Sequence, residues 1–172
     1  NDISNTTIDD FVYELDLDSG EILHTLDYKT VLQRTRIFGG RYSDADWMHM
    51  NAAVYCGENI VASSNFQSLV DGNIQWMLGD PTGYLERYQR YLLTPVGEGF
   101  EWPYNQHAVQ VLPDQDGDAD TVDLLLFDNG LSRFLVDKEL QRQITAGETA
   151  KPSDYSRMVQ YRVNQRDMTV EQ

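Results

Sequence analysis

Two segments of this 172-residue chain place a histidine directly before a short apolar run. DWMHMNAAVY (residues 46–55) contains His49 and Asn51, and WPYNQHAVQV (residues 102–111) contains His107. If the first segment is a strand, every second side chain points the same way, so His49 and Asn51 share a face. Polar groups of this kind are costly to bury without partners. We therefore expect them either to lie in water or to face a polar site.

A lone histidine in a strand is more often structural than catalytic. His49 and His107, however, occur in matching sequence settings, and this match favours a shared site. The third histidine, His24, lies in an outer-looking hairpin and is interpreted as structural. Two histidines without a cysteine cluster offer few of the ligands that a zinc site needs. The acidic run DQDGDAD (residues 114–120) has its glycine misplaced for a calcium loop and no closing glutamate. We expect a solvated hairpin tip there, and no metal.

Composition and charge exclude several classes of protein. A hydrophobic content of 41% and an aromatic content of 11% are typical of a globular protein with a core. The net charge of −15 disfavours nucleic-acid partners, since a polyanion would be repelled. No apolar run is long enough to span a bilayer. Cys56 is the sole cysteine, so no disulfide forms within the chain. The start at Asn1 and the strand-like end MTVEQ suggest a piece of a longer chain.

Many short strands joined by turns predict an all-β fold, either a sandwich or a β-propeller. A hairpin is expected over residues 11–28, a second over residues 107–130 and a third over residues 155–172, with a short helix within residues 81–96. A weak echo between YELDLDSGEIL and YRVNQRDMTV favours the propeller. Inner strands of successive blades begin near the central channel, which would bring His49 and His107 together.

Several phrases occur in the order found in one family: DWMHMNAAVY, NIVASSNFQS, IQWMLGDP, YNQHAVQVL, LLLFDNG and YSRMVQYRVN. From about Phe11 to its end the chain resembles the bacterial arylsulfate sulfotransferases. The resemblance implies a six-bladed β-propeller exported to the periplasm, with residues 1–172 forming part of the blades of one catalytic domain. It also implies transfer of a sulfuryl group from an aryl sulfate ester to a phenol, without a cofactor or a nucleotide donor. Whether the chain forms a homodimer remains open.

The resemblance also implies roles for particular residues. His107, in YNQH, matches the histidine that becomes transiently sulfated in a ping-pong reaction. His49 and Asn51 match a sulfate-binding histidine and asparagine. Asn65 stands where the family usually has an arginine, and Phe66 stands where it has a histidine. We expect Asn65 to contact the sulfate as a neutral amide, without the charge and bidentate geometry of a guanidinium.

Two other readings of the sequence stay open. The chain could belong to a propeller that binds anionic or aromatic ligands without turning them over, and Asn65 in place of arginine is the best support for this reading. A purely structural or cell-surface propeller would bind neither donor nor acceptor. Trapping of a sulfated histidine distinguishes the enzyme from both.

Overall fold

The computed structural model describes residues 8–34, 36, 46–65, 69–71, 74–131, 146 and 155–172, and these residues are mostly strands. The strands are β1 (Phe11–Leu15), β2 (Ile22–Asp27), β3 (Met50–Cys56), β4 (Asn59–Ser64), β5 (Leu69–Asp71), β6 (Met77–Leu78), β7 (Thr94–Pro95), β8 (His107–Val111), β9 (Thr121–Asp128), β10 (Arg157–Asn164) and β11 (Thr169–Glu171). A 3-10 turn covers Tyr28–Thr30 and a short helix, α1, covers Glu86–Gln89. The predicted all-β class is confirmed.

The strands form three sheets. β1 and β2 make a hairpin, β3 to β6 make a four-stranded antiparallel meander, and β8 to β11 make a second antiparallel meander. β7 adds to the second meander in parallel to β11. Four-stranded meanders of this kind are the building unit of a propeller blade. In each meander the first strand, β3 or β8, is formed by the second half of one of the two histidine segments.

The two meanders pack face to face through a shared apolar core. Cross-strand partners on β9 and β10 line one face of the second meander, for example Leu124 opposite Tyr161 and Leu126 opposite Val159. Val61 of β4 joins this core, whereas its neighbour Ala62 points to a second core on the opposite face. Because side chains alternate along a strand, one sheet contributes to both cores. Burying each large apolar side chain stabilises the fold by about 1.5–3 kcal/mol.

The second core joins the β3–β6 sheet to the N-terminal hairpin and to the segment before β3. Trp47 and Met48 are buried in this core, next to His49. The Trp47 indole N–H donates to Asp9 (3.1 Å), and this hydrogen bond is the main reason that the pKa of the Asp9 carboxyl is lowered. The backbone N–H of Met50 donates to Asp10 (2.8 Å). The residues on both sides of His49 are thereby fixed to the hairpin.

The predicted hairpins and the short helix are present. Residues 114–120 form the tip between β8 and β9, where the side chains of Asp114, Asp116 and Asp118 accept backbone N–H groups of the same loop. The tip is therefore an ordinary acidic turn that satisfies its own backbone. The segment KTVLQRTR (residues 29–36) is compatible with one or two helical turns by sequence, and the described residues there have only the 3-10 turn at Tyr28–Thr30.

Candidate active site

The two histidine segments lie side by side at the start of neighbouring strands. β3 packs against β8, His49 immediately precedes β3, and His107 is the first residue of β8. The two imidazole rings have centroids 6.4 Å apart and are tilted by 66°. The structure thus brings together two rings that are 58 positions apart in the sequence, since 107 − 49 = 58.

The backbone is irregular at both histidines. The register shifts between Met50 and Ala52 on β3, and between His107 and Gln110 on β8. His49 (φ 50°), Asn105 (φ 54°) and Ala108 (φ 53°) adopt left-handed conformations. A non-glycine residue in this region costs about 1–2 kcal/mol, and such residues and bulges concentrate at functional sites, where they redirect side chains.

One expectation about His49 needs correction. The sequence analysis placed His49 and Asn51 on one face of a continuous strand, but β3 begins only at Met50 and carries a bulge directly after it. Residues 46–49 bend at Trp47 and Met48 instead. This bend brings the side chain of Asp46 to His49, so that Oδ2 of Asp46 lies 2.5 Å from Nδ1 of His49.

Asp46 is a site residue that the sequence analysis did not assign. Its spacing of three positions from His49 was the available signal, but that spacing brings side chains together in a bend and not in a strand. The carboxylate fixes Nδ1 of His49 as a proton donor. A second proton on the ring would make His49 a cation whose charge Asp46 compensates. The pair can then offer an N–H donor to an anion.

His107 is held through one ring nitrogen. Its Nδ1 lies 3.0 Å from the backbone oxygen of Asn105 and 2.9 Å from Nδ2 of Asn129. Nε2 of His107 makes no hydrogen bond with another described residue. With Nδ1 engaged, Nε2 is the nitrogen of this ring that remains for chemistry. Asn129 belongs to the FDNG phrase, to which the sequence analysis gave no separate role.

Asn51 and Gln106 connect the two sheets at the site. Nδ2 of Asn51 donates to the backbone oxygen of Gln106 (2.8 Å), and Nε2 of Gln106 donates to the backbone oxygen of Ser64 (2.7 Å). These bonds cross between the β3–β4 hairpin and the segment that leads into β8. Asn51 therefore keeps one amide hydrogen for a ligand after holding the two histidine segments together.

Asn65 lies beside His49 and Asn105. Its backbone N–H donates to the oxygen of His49 (3.0 Å), and its own backbone oxygen accepts from Nδ2 of Asn105 at 3.4 Å. Asn65 is only 7% exposed. The position where an arginine was expected is thus part of the site, whereas Phe66 lies outside the described residues.

Three amide oxygens at this site are buried without a hydrogen-bond partner. They are Oδ1 of Asn51, Asn65 and Asn105. Buried polar atoms are nearly always paired with protein or ordered water, so an orphaned acceptor marks a place for water or a ligand group. The site is therefore polar, and it is assembled from imidazoles and amides.

A buried carboxylate supports the loops that carry this site. Asp128 is fully buried at the end of β9, and its Oδ1 accepts from the backbone N–H groups of Tyr104 and Gly130, each at 2.9 Å. Its Oδ2 accepts from Nε of Arg157 (3.0 Å). One side chain thereby fixes the loop before His107 and the loop that contains Asn129.

The described residues contain no group of three or more histidine, cysteine, aspartate or glutamate side chains arranged to hold a metal ion. The same part of the chain includes no helix with the length and apolar character needed to cross a membrane. The arrangement that remains for chemistry is a pair of imidazoles surrounded by amides.

The family model described as arylsulfotransferase (ASST) matches residues 1–172. The chain belongs to the arylsulfotransferase family. The resemblance inferred from the sequence phrases is confirmed at the level of the family.

A curated relative is the arylsulfate sulfotransferase of Escherichia coli O6:H1, which is 25% identical over 186 residues. The match covers 91% of this chain but 28% of the length of the relative. No solved structure matches the chain. The whole protein's activity and substrates are therefore argued below from the site.

Proposed function

We propose that this chain carries the sulfuryl-transfer site of an arylsulfate sulfotransferase, which moves a sulfuryl group from an aryl sulfate ester to a phenol. The observation that supports this most is His107, engaged by hydrogen-bonding groups at Nδ1 and close to a second imidazole. An imidazole nitrogen can attack sulfur and later act as a leaving group, which divides one difficult transfer into two steps.

In the first step, the Nε2 lone pair of neutral His107 attacks sulfur. The N–S bond forms, the bond between sulfur and the phenolic oxygen breaks, and a phenolate leaves with the electron pair. The product on the enzyme is an N-sulfo-imidazolium with its proton on Nδ1. The backbone oxygen of Asn105, 3.0 Å from Nδ1, is placed to accept that N–H. The phenolate takes a proton from protonated His49, which becomes neutral.

In the second step, the oxygen of an acceptor phenol attacks the same sulfur. The S–O bond forms, the N–S bond breaks, and His107 recovers its neutral ring. The phenolic proton passes to neutral His49, whose Nδ1 is held by Asp46. His49 returns to its charged form, so atoms and charge balance over the cycle without a cofactor.

Charge builds up on the peripheral oxygens of the sulfuryl group during both steps, as in phosphoryl transfer. Donors aimed at these oxygens provide most of the stabilisation, and each is worth about 10²–10³ in rate. We assign this role to the remaining amide hydrogen of Asn51 and to the amide of Asn65 in both steps, and to His49 in the first step, while it is protonated. In a chain with a net charge of −15, these local donors must offset a repulsive overall field.

The proposal is tested with the intact protein, a chromogenic aryl sulfate and a phenol acceptor. We expect parallel double-reciprocal lines, as for a ping-pong reaction, and loss of phenolate release in His107→Ala and His107→Asn. His24→Ala is the matched control, because His24 lies on the exposed outer hairpin. Undiminished release by both His107 variants would refute the assignment.

The site also supports a second candidate, a propeller that binds aryl sulfates without turnover. The observation in its favour is Asn65, a neutral amide where the family usually supplies an arginine. Binding alone predicts that an aryl sulfate raises the melting temperature while no phenolate is released. Release that depends on His107 excludes this candidate.

The resemblance supports an exported protein as well, and we propose a periplasmic or secreted location. The partners would be a small aryl sulfate donor and a phenol acceptor. Fractionation of cells that express the intact protein tests the location.

A further inference from the structure

We propose that Asn129 is a positioning residue that determines which ring nitrogen of His107 carries the proton. The proposal rests on the proposed function, in which Nε2 of His107 attacks sulfur. The proposal is based on three atoms that lie close together. Nδ2 of Asn129 lies 2.9 Å from Nδ1 of His107 and 2.8 Å from the backbone oxygen of Asn105. Nδ1 of His107 lies 3.0 Å from that same oxygen.

The orientation of the Asn129 amide follows from the Asn105 oxygen. Rotating the amide by half a turn would place its Oδ1 against that carbonyl oxygen, and two acceptors at this distance repel. The NH₂ group of Asn129 therefore faces both neighbours, and it has one hydrogen for each of them. An amide N–H can bond to Nδ1 of His107 only where that nitrogen has a lone pair. This contact favours the tautomer with its proton on Nε2.

The carbonyl oxygen of Asn105 has the opposite preference, because it accepts a bond from Nδ1 only when Nδ1 carries the proton. The two neighbours of one nitrogen thus stabilise opposite tautomers. The tautomer protonated on Nδ1 is the one whose Nε2 lone pair can attack sulfur. The Asn105 oxygen already accepts from Nδ2 of Asn129, so it loses only a second bond when Nδ1 has no proton. We infer that Asn129 therefore keeps the empty site in the unreactive form, with Nε2–H available as a donor to an incoming sulfate.

The loop that contains Asn129 is fixed on both sides, which makes this contact a property of the fold. Ser156 donates to the backbone oxygen of Asn129 (3.1 Å). The neighbouring Asp128 is held by Arg157 and by the N–H of Gly130. The amide of Asn129 is therefore presented to His107 by a braced turn.

The test is nitrogen NMR of the intact protein labelled with 15N in histidine, without substrate, at a pH where the rings are neutral. His107→Asn identifies the His107 signals by their loss. We expect an unprotonated Nδ1 in the native protein, and a proton on Nδ1 in Asn129→Asp and Asn129→Ala. The Asp variant keeps the shape of the side chain and decides the matter if the Ala variant fails to fold. Asn164→Ala is the control, since the Asn164 side chain accepts from the backbone N–H of Asp167 and does not bond to the ring.

A proton on Nδ1 in the native protein, or an unchanged tautomer in Asn129→Asp, would overturn the proposal. The measurement uses no substrate, so its outcome is independent of sulfuryl transfer. If the tautomer changes as expected and His107 never carries a sulfuryl group, the role of Asn129 stands and the proposed function fails. If His107 is sulfated and the tautomer does not respond, the proposed function stands and this inference fails.

Discussion

Replacing Asp128 by asparagine tests how the two loops of the site are held. Oδ1 of Asp128 accepts two backbone N–H groups, and an asparagine oxygen can keep both bonds. The other oxygen becomes an NH₂ group that faces Nε of Arg157, at the 3.0 Å spacing of the present ion pair. Two donors then oppose each other, and the partly buried guanidinium of Arg157 loses its buried partner while it keeps the carboxylate of Glu101.

Breaking a buried ion pair by changing one partner usually costs about 3–5 kcal/mol. Arg157 keeps part of its compensation, because Glu101 accepts from its NH1 (2.6 Å) through a carboxylate oxygen and from its NH2 (3.2 Å) through the backbone oxygen. We therefore expect Asp128→Asn to lower the free energy of unfolding by about 2–4 kcal/mol, somewhat less than the usual cost of breaking a buried ion pair.

The assay is urea denaturation of the intact protein, followed by intrinsic fluorescence, with equal slopes required for the comparison. Asp120→Asn is the matched control, since Asp120 pairs with the exposed Arg166 at the acidic tip. We expect that control to change stability no more than an ordinary surface substitution. A loss below about 1 kcal/mol in Asp128→Asn would show that the ion pair with Arg157 contributes little to the bracing of these loops.

Three further predictions concern the site and its backbone. Asn65→Arg should raise kcat/KM by roughly 10–100-fold because it adds a charged donor. The control Asn65→Gln adds size without charge and should not raise it. Equal kcat/KM values for the two variants would contradict a sulfate contact at this position. Asp46→Asn should lower kcat/KM by roughly 10–100-fold, less than deleting a donor outright, while Glu14→Gln, which breaks the analogous pair with His24, should leave it unchanged. Ala108→Gly should raise the free energy of unfolding by about 0.5–1 kcal/mol, because residue 108 has a left-handed backbone conformation. The control Ala53→Gly, in regular strand, should lower the free energy of unfolding by a similar amount. A change of the same sign in both variants would disprove local strain at residue 108.

The sequence was sufficient to predict most strands, though not the short β5 and β7, and to predict that the two histidine segments lie together. Alternation along each strand and turn residues between them indicated the hairpins, including β8–β9 with its acidic tip. The likeness of the two segments around His49 and His107 indicated equivalent positions in successive sheets. Both signals are local, so they can be read without knowing the fold.

The supporting residues were out of reach of the same reasoning. Asp46 contacts His49 because residues 46–49 bend, and Asn129 contacts His107 because a braced loop returns 22 positions later, since 129 − 107 = 22. Asp128 read as the end of an apolar strand, and its role depends on Arg157 from the next strand. Bulges and left-handed residues decide these contacts, and no alternation pattern reveals a bulge.

The most direct test of the account is mass spectrometry of the intact protein, quenched after exposure to an aryl sulfate without a phenol acceptor. The account predicts the mass of one added sulfuryl group on the peptide that contains His107, and its removal when a phenol is supplied. The account would be contradicted by a sulfuryl group on another residue. It would also be contradicted by a burst of phenolate release with no modified protein, because His107 would then not carry the sulfuryl group.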